Sequence, residues 1–292
     1  MTMHLSKLSL VLGFTLLSAA LQAEERSYEL DANYSFTGGA TTGFHKSANG
    51  SVSEQSAQLR SVISIPVSDT VLGRVGLDCE LNAFGIPNSA PLPNTLESTS
   101  LVLGLDVQAF ESWIVRLEAT PGIYSDFHDL NSGDLNIPVA LGASYIAGPD
   151  LQWVLGLRFD ANARYPVLPG IGVRWKFTDK WVLNAIPPTP RLEYQLNKAA
   201  TLYLGADLRG STYRVEDRFG SSHGNPQLNG AVVELDEIRT GAGATWKLRK
   251  DLTFGLEAGY LPYRKFDFYR ADTSFKTRSG APYGQFAISS RF

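Results

Sequence analysis

The chain of 292 residues has one cysteine, Cys79, so no intrachain disulfide framework can hold it together. Its four histidines are scattered: His45, His128 and His223 beyond the N-terminal segment lie far apart, which leaves no histidine cluster for metal or nucleophile chemistry. An excess of positive charge is also lacking. With 26 Lys+Arg against 29 Asp+Glu and a net charge of -3, the chain does not offer the clustered basic surface that nucleic acid requires. A glycine-rich phosphate loop is missing too, because Gly170-Ile171-Gly172 has no third glycine and opens a strand. After Ala23 no apolar run reaches the about 20 residues that a membrane-spanning helix needs. No low-complexity tract or linker interrupts the composition, which implies one domain over 24–292.

The N-terminal segment has the grammar of a cleaved leader. Lys7 supplies the positive region, Leu8 to Leu17 the short apolar region, and Leu21-Gln22-Ala23 the small-residue cleavage site, giving a signal peptide over 1–23. No cysteine stands at the end of the apolar region, which argues against a lipid-anchored precursor. A mature chain without apolar helices either stays outside the inner membrane or crosses a membrane as strands.

What the sequence does contain, from Tyr28 to Phe292, is alternation with a period of two. Val71, Gly73, Val75, Leu77, Cys79, Leu81 and Ala83 are apolar or small, while Arg74, Asp78, Glu80 and Asn82 between them are polar. Leu101, Leu103, Leu105 and Val107 repeat the pattern, as do Leu151, Trp153, Leu155, Leu157 and Phe159. A strand turns successive side chains to opposite faces, so each stretch has one apolar and one polar face. On that face Cys79 is a small hydrophobe. Mean hydropathy of -0.09 is no objection, since a barrel dilutes its lipid-facing residues with lumen residues.

The pattern predicts about fourteen antiparallel strands, an even number as bacterial barrels have. Short connections at 67–70, 111–112, 147–150, 178–180, 197–200 and 249–251 alternate with others that include long polar loops at 38–51, 85–96, 125–134, 215–230 and 264–279. Trp113, Trp153, Trp175, Trp181 and Trp246 all fall beside short turns and on the apolar face, as an interfacial aromatic girdle would. The expected architecture is an all-β, antiparallel, up-and-down transmembrane β-barrel with short periplasmic turns and longer extracellular loops. Ile186-Pro187-Pro188-Thr189-Pro190 interrupts two short strands, where the wall should be low or irregular because proline cannot donate to a ladder. That segment is a stiff tight loop or a sideways notch. If its two strands do not cross, the count is twelve.

The last strand, Gly284, Phe286, Ile288, Ser290, Phe292, alternates and ends on phenylalanine. It resembles the C-terminal signal of outer-membrane proteins read by the barrel assembly machinery, with Phe286, Ile288 and Phe292 as the matching positions and serine where an apolar residue is usual. With Pro190-Arg191-Leu192-Glu193-Tyr194 and Tyr263-Arg264-Lys265-Phe266-Asp267-Phe268, the mature chain also resembles an uncharacterised, porin-like family of bacterial outer-membrane β-barrel proteins. The resemblance implies a fold and a bacterial outer-membrane location, and carries no assigned chemistry.

Inward positions hold Arg74, Asp78, Glu80, Asp106, Arg116, Glu118, Arg158, Asp160, Arg174, Asp207, Arg209, Arg239 and Glu257. Opposite signs often sit two apart on one strand, as in Arg116/Glu118, Arg158/Asp160, Arg191/Glu193, Asp207/Arg209 and Glu237/Arg239. Nearly balanced signs read as structural lumen pairs, with a narrow, weakly selective channel as the alternative. The segment 264–279 interleaves Arg264, Lys265, Arg270, Lys276 and Arg278 with Phe266, Phe268, Tyr269 and Phe275. It reads either as a lid over the mouth or as a grip on lipopolysaccharide phosphates, the lid being the simpler. Asp126-Phe127-His128-Asp129 is too sparse for a metal site. The sequence thus points to a passive channel or transport-related pore for small solutes with a partly obstructed polar lumen. The alternatives are a non-conducting barrel acting through its loops and, behind it, an outer-membrane hydrolase. No catalytic residue, cofactor or metal is assigned. The expected partners are outer-membrane lipid, the barrel assembly machinery, and small solutes or lipopolysaccharide.

Overall fold

A computed structural model describes residues 26–44, 48–87 and 90–292; the leader expected over 1–23 and His45 lie outside them. The described residues form one sheet of 17 strand segments. In order they are β1 (Ser27–Phe44), β2 (Ala48–Ser68), β3 (Val71–Gly85), β4 (Thr95–Phe110), β5 (Trp113–Ala119) and β6 (Gly122–Ser125). Then come β7 (Leu135–Asn136), β8 (Val139–Ile146), β9 (Leu151–Phe159), β10 (Val167–Lys176), β11 (Trp181–Asn184) and β12 (Arg191–Gln195). The last are β13 (Ala200–Arg214), β14 (Val232–Lys247), β15 (Leu252–Phe268), β16 (Thr273–Ser279) and β17 (Ala281–Arg291).

Three staves of the barrel are each broken into two segments. β5 and β6 both pair with β4, β7 and β8 pair with β6 and β5, and β16 and β17 both pair with β1. Two of the breaks fall at Pro121 and Pro138, which have no N–H to give the ladder. Counted as staves, the sheet is a closed antiparallel barrel of 14 strands. Closure runs through β17 and β1, from Glu29↔Arg291 to Thr37↔Tyr283. The ladder continues to the final residue: Tyr28 N donates to Phe292 O at 2.6 Å, and Phe292 N to Tyr28 O at 3.1 Å. A sheet closed in this way has no side edge left to aggregate, except for the short stretch above β11 and β12.

Short turns gather at one end, the turn end, and longer connections at the other, the loop end. Leu103, facing out, is 43% exposed, while Arg74, facing in from the next strand, is 4% exposed. In this half the molecule is inside out relative to a water-soluble β-protein. Glycines on the inner face let large rings lie against the wall; a Cβ on Gly241 would stand 2.6 Å from the Tyr283 hydroxyl.

Two expected loops are strands. Residues 38–51 are largely the upper ends of β1 and β2, with a register shift between Thr37 and Ala40, and 264–279 form the β15–β16 hairpin. The hairpin therefore is not a lid: Phe266, Phe268 and Phe275 point inward from the wall and are fully buried. The sequence hid both because the polarity of the faces inverts toward the loop end. On β4 the outward series runs Thr95, Glu97, Thr99 and then Leu101, Leu103, Leu105. The inward series runs the other way, from Leu96 to Asp106.

Candidate functional site

Inside the turn half, the strands aim charged side chains into the lumen, where they pair chiefly across strands. Arg74 reaches Glu29 at 2.9 Å and Asp106 at 3.8 Å, and Arg116 holds Asp106 at 2.6 Å. Arg60 spans Asp78 at 2.9 Å and Glu118 at 2.6 Å. On the opposite arc Arg191 meets Glu257 at 3.5 Å and lies 4.1 Å from the Tyr203 ring centre, and the Tyr283 hydroxyl donates to Glu257. Glu80 accepts from Asn82 at 3.0 Å. Arg174 has no ion-pair partner among the described residues.

The pairs two apart on one strand divide. Asp207/Arg209, Glu237/Arg239 and, more loosely, Arg158/Asp160 do meet. Arg116 instead takes Asp106 rather than Glu118, and Arg191 takes Glu257 rather than Glu193. For Arg116 the register decides: Asp106 stands directly opposite on β4, about 5 Å away, nearer than a residue two along its own strand at about 7 Å, whereas Arg191 on β12 reaches past β13 and β14 to Glu257 on β15. A polar cavity of about 200 Å³ lies against this arc, bordered by Arg191, Tyr203, Glu257, Gln285, Thr253 and Ser289.

Toward the loop end the lumen narrows and is bridged. Arg209 on β13 reaches Ser56 on β2 at 3.4 Å and Gln285 on β17 at 3.3 Å. Next to it lies a closed quartet of two carboxylates and two guanidiniums, Glu54, Glu237, Arg239 and Arg264, each 2% exposed or less. Arg239 holds Glu54 at 2.9 Å and Glu237 at 2.7 Å, Arg264 pairs with the same two acids, and Arg239 also donates to Ser35 at 2.7 Å. Burying charges is tolerable only when each has a partner and hydrogen bonds, and the ring arrangement gives each group a partner while leaving Glu54 Oε1 without a hydrogen bond.

A dry cap sits beyond the quartet. Ala90 and Leu92 from the β3–β4 connection and Val215, Phe219 and Leu228 from the β13–β14 connection pack on Phe84, Leu96, Tyr213, Leu235, Phe266 and Phe268. The cap is therefore made by loops and by the inward faces of the strand tops. Sequence reasoning missed Glu54, Arg264, Arg60 and Glu29 as lumen residues, and the cap residues altogether. For β2 a signal existed: Leu59, Ile63 and Ile65 on one face leave Glu54, Ser56, Gln58 and Arg60 on the other. For the cap there was none, since it depends on which loops fold inward.

The remaining residues singled out are placed as follows. All five tryptophans project outward at the turn end, in a ring of aromatic contacts that includes Trp113–Tyr145 at 5.0 Å, Trp181–Tyr194 at 4.9 Å and Trp246–Phe254 at 6.1 Å. Phe286, Ile288 and Phe292 face outward on the closing strand, and Phe292 stacks on Tyr28 at 5.7 Å. His128 and His223 stay apart in loops, each with its Nδ1 at a backbone oxygen, Asp126 O at 2.9 Å and Phe219 O at 2.8 Å. Among the described residues, no three His, Cys, Asp or Glu are grouped to hold a metal ion.

The family described as Domain of unknown function (DUF6268) matches residues 92–289. No curated protein matches the chain. Among solved structures, the chain is similar to an outer membrane channel from Pseudomonas putida F1 at 10% identity, over 91% of this chain and 95% of that one, with a TM-score of 0.48. It is similar to the P. putida toluene transporter TodX at 10% identity, over 94% and 92%, with a TM-score of 0.43. The NanC porin structure aligns at 12% identity, over 89% and 98%, with a TM-score of 0.41.

Proposed function

The chain belongs to the family described as Domain of unknown function (DUF6268), and we propose that it is an outer-membrane β-barrel conduit for small solutes, capped at its loop end. The observation that carries this reading is the way the interior is closed. A ring of about eight strands is filled by its own side chains, and wider rings leave open space. This ring of 14 closes its loop end with two folded connections and a buried ion quartet, while the turn half keeps a polar, partly open lumen. A loop-built cap over a polar cavity is an arrangement that can be displaced. The outward leucines, the tryptophan ring and the closed ladder support residence in a membrane, with the turn end periplasmic.

Conductance in a planar bilayer tests the reading. The intact protein should give small, weakly selective events, and deletion of residues 217–229 from the cap should enlarge them several-fold. A deletion protein that assembles and stays silent would favour the second reading, a non-conducting barrel acting through its loops, for which the dryness of the cap speaks. Phe292 is in this account the residue engaged by the barrel assembly machinery. Its deletion should lower outer-membrane levels of the protein; unchanged levels would remove that assignment.

A further inference from the structure

The barrel wall overlaps itself at one place. The β11–β12 hairpin, with Pro187, Pro188 and Pro190 at its tip, is laddered only part of the way up its neighbours. Its uppermost bonds are Ala185 N to Val173 O at 2.8 Å on the β10 side and Leu208 N to Pro188 O at 2.9 Å on the β13 side. Above it, residues 167–171 of β10 and 209–214 of β13 have no strand between them. There the top of β13 tucks inside the sheet. Thr212, on the outward side of β13, bonds Asp160 at 2.9 Å and Asn136 at 3.2 Å, and both of these come from the inward side of the β7–β9 wall. Arg158 donates to the free edge carbonyl of Gly210 at 2.6 Å.

A cavity of about 310 Å³ lies in this overlap. Leu168 and Arg158 reach it from the inward face of β10 and β9, whereas Glu234, Asp236 and Tyr263 reach it from the outward face of β14 and β15. One cavity touches both faces of a sheet only where the sheet has passed over its own edge. Its charges are unevenly satisfied. Asp267 takes both Arg164, at 3.0 Å, and Lys265, and Arg158 is held by Asp160 and Gly210. Glu234 accepts only the backbone N–H of Arg164, at 3.1 Å, and Asp236 has no hydrogen bond or ion pair among the described residues. Leu168 is 57% exposed, and Tyr165 and Tyr263 line the same cavity as these two acids.

We propose that this overlap is a binding site for a small organic ammonium ion with an apolar body. The carboxylates of Asp236 and Glu234 take the charge, and Leu168 with Tyr165 and Tyr263 takes the apolar part. Tyrosine faces attract cations, and the volume lies at the small end of ligand pockets. The site rests on the conduit reading only for its setting in a membrane barrel, and binding is measured without transport. Calorimetry on the protein in lipid nanodiscs, with benzyltrimethylammonium as probe, should show saturable binding, and benzyl alcohol should show none. Glu234→Gln with Asp236→Asn should weaken the ammonium about tenfold or more, because a quaternary ammonium has no N–H to donate and is held by the carboxylates' charge alone. Leu168→Trp, which fills the exposed apolar end and leaves the acids alone, should weaken it as well. Heat-dependent gel migration checks that each variant is a closed barrel. Equal binding of the alcohol, displacement by magnesium at the same concentration, or unchanged affinity in both variants would overturn the site. Ammonium binding by a barrel that never conducts would sink the conduit and leave the site. Conductance without ammonium binding would do the reverse.

Discussion

The two halves of the barrel share the same strands but are built on opposite plans. At the turn end, β4 shows Leu101, Leu103 and Leu105 to the outside and Asp106 to the inside; toward the loop end it shows Thr95 and Glu97 outside and Leu96 inside. β14 and β15 invert in the same way, with Glu234, Asp236, Lys265 and Asp267 outward above Leu256 and Trp246, and Leu235, Phe266 and Phe268 inward. The difference teaches where the surrounding medium changes. Apolar outward residues fit hydrocarbon, and a membrane-spanning strand needs only about 9–11 residues. β14 has 16 residues and β15 has 17, so their tops stand clear of it as an ordinary β-protein with a dry centre.

The contrast can be broken or sharpened by paired substitutions. The largest effect is expected at the ion quartet. Arg239→Met leaves Arg264 as the one cation for two fully buried carboxylates and should cost about 3–5 kcal/mol of unfolding free energy in detergent or lipid. Arg116→Met, at the half-exposed Asp106 pair of the turn half, should cost about 1 kcal/mol or less, because water screens what remains. Equal costs would mean that the two halves are equally wet.

Next comes the outer face of β4. Leu103→Arg should cost about 2–4 kcal/mol or block assembly, since it puts a cation at lipid depth. Thr95→Arg, on the same face of the same strand, should stay within about 0.5 kcal/mol, as surface changes usually do. A harmless Leu103→Arg would show that no lipid belt exists at that level. A small effect is also expected for Asp106→Asn, about 1 kcal/mol or less, because Arg74 keeps Glu29 when Asp106 loses its charge. Were it more damaging than Leu103→Arg, the facing of the strands would have to be reversed.

Much of the barrel was legible in the chain because side-chain facing is a local property. A period of two assigns Leu155 to one face and Arg158 to the other without knowledge of any partner. Short turns between such runs then dictate antiparallel neighbours, so the staves could be counted from residue order to about fourteen, and the structure settles that the two beside the prolines belong to the ring. The segment 264–279 was misread for an equally local reason. Phe266 and Phe268 alternate faithfully with Lys265 and Asp267, but with the polarity exchanged, and a stretch rich in both charge and aromatics reads as a loop when only one medium is assumed.

By itself, then, the sequence determined that the chain is all-β, that it has about fourteen staves or twelve, which face of each stave is apolar in the lower half, and where the proline-interrupted hairpin falls. Only the tertiary structure decided what fills and covers the ring. Glu54 lies 185 residues before Arg239 along the chain, and Asn136 lies 76 before Thr212, yet each pair is in contact. Such meetings depend on the closure of the whole sheet, on the inward folding of two loops and on the slip of β13 beneath β9 and β10. No alternation pattern carries that information, because a local period states which way a side chain points and not what it will find there.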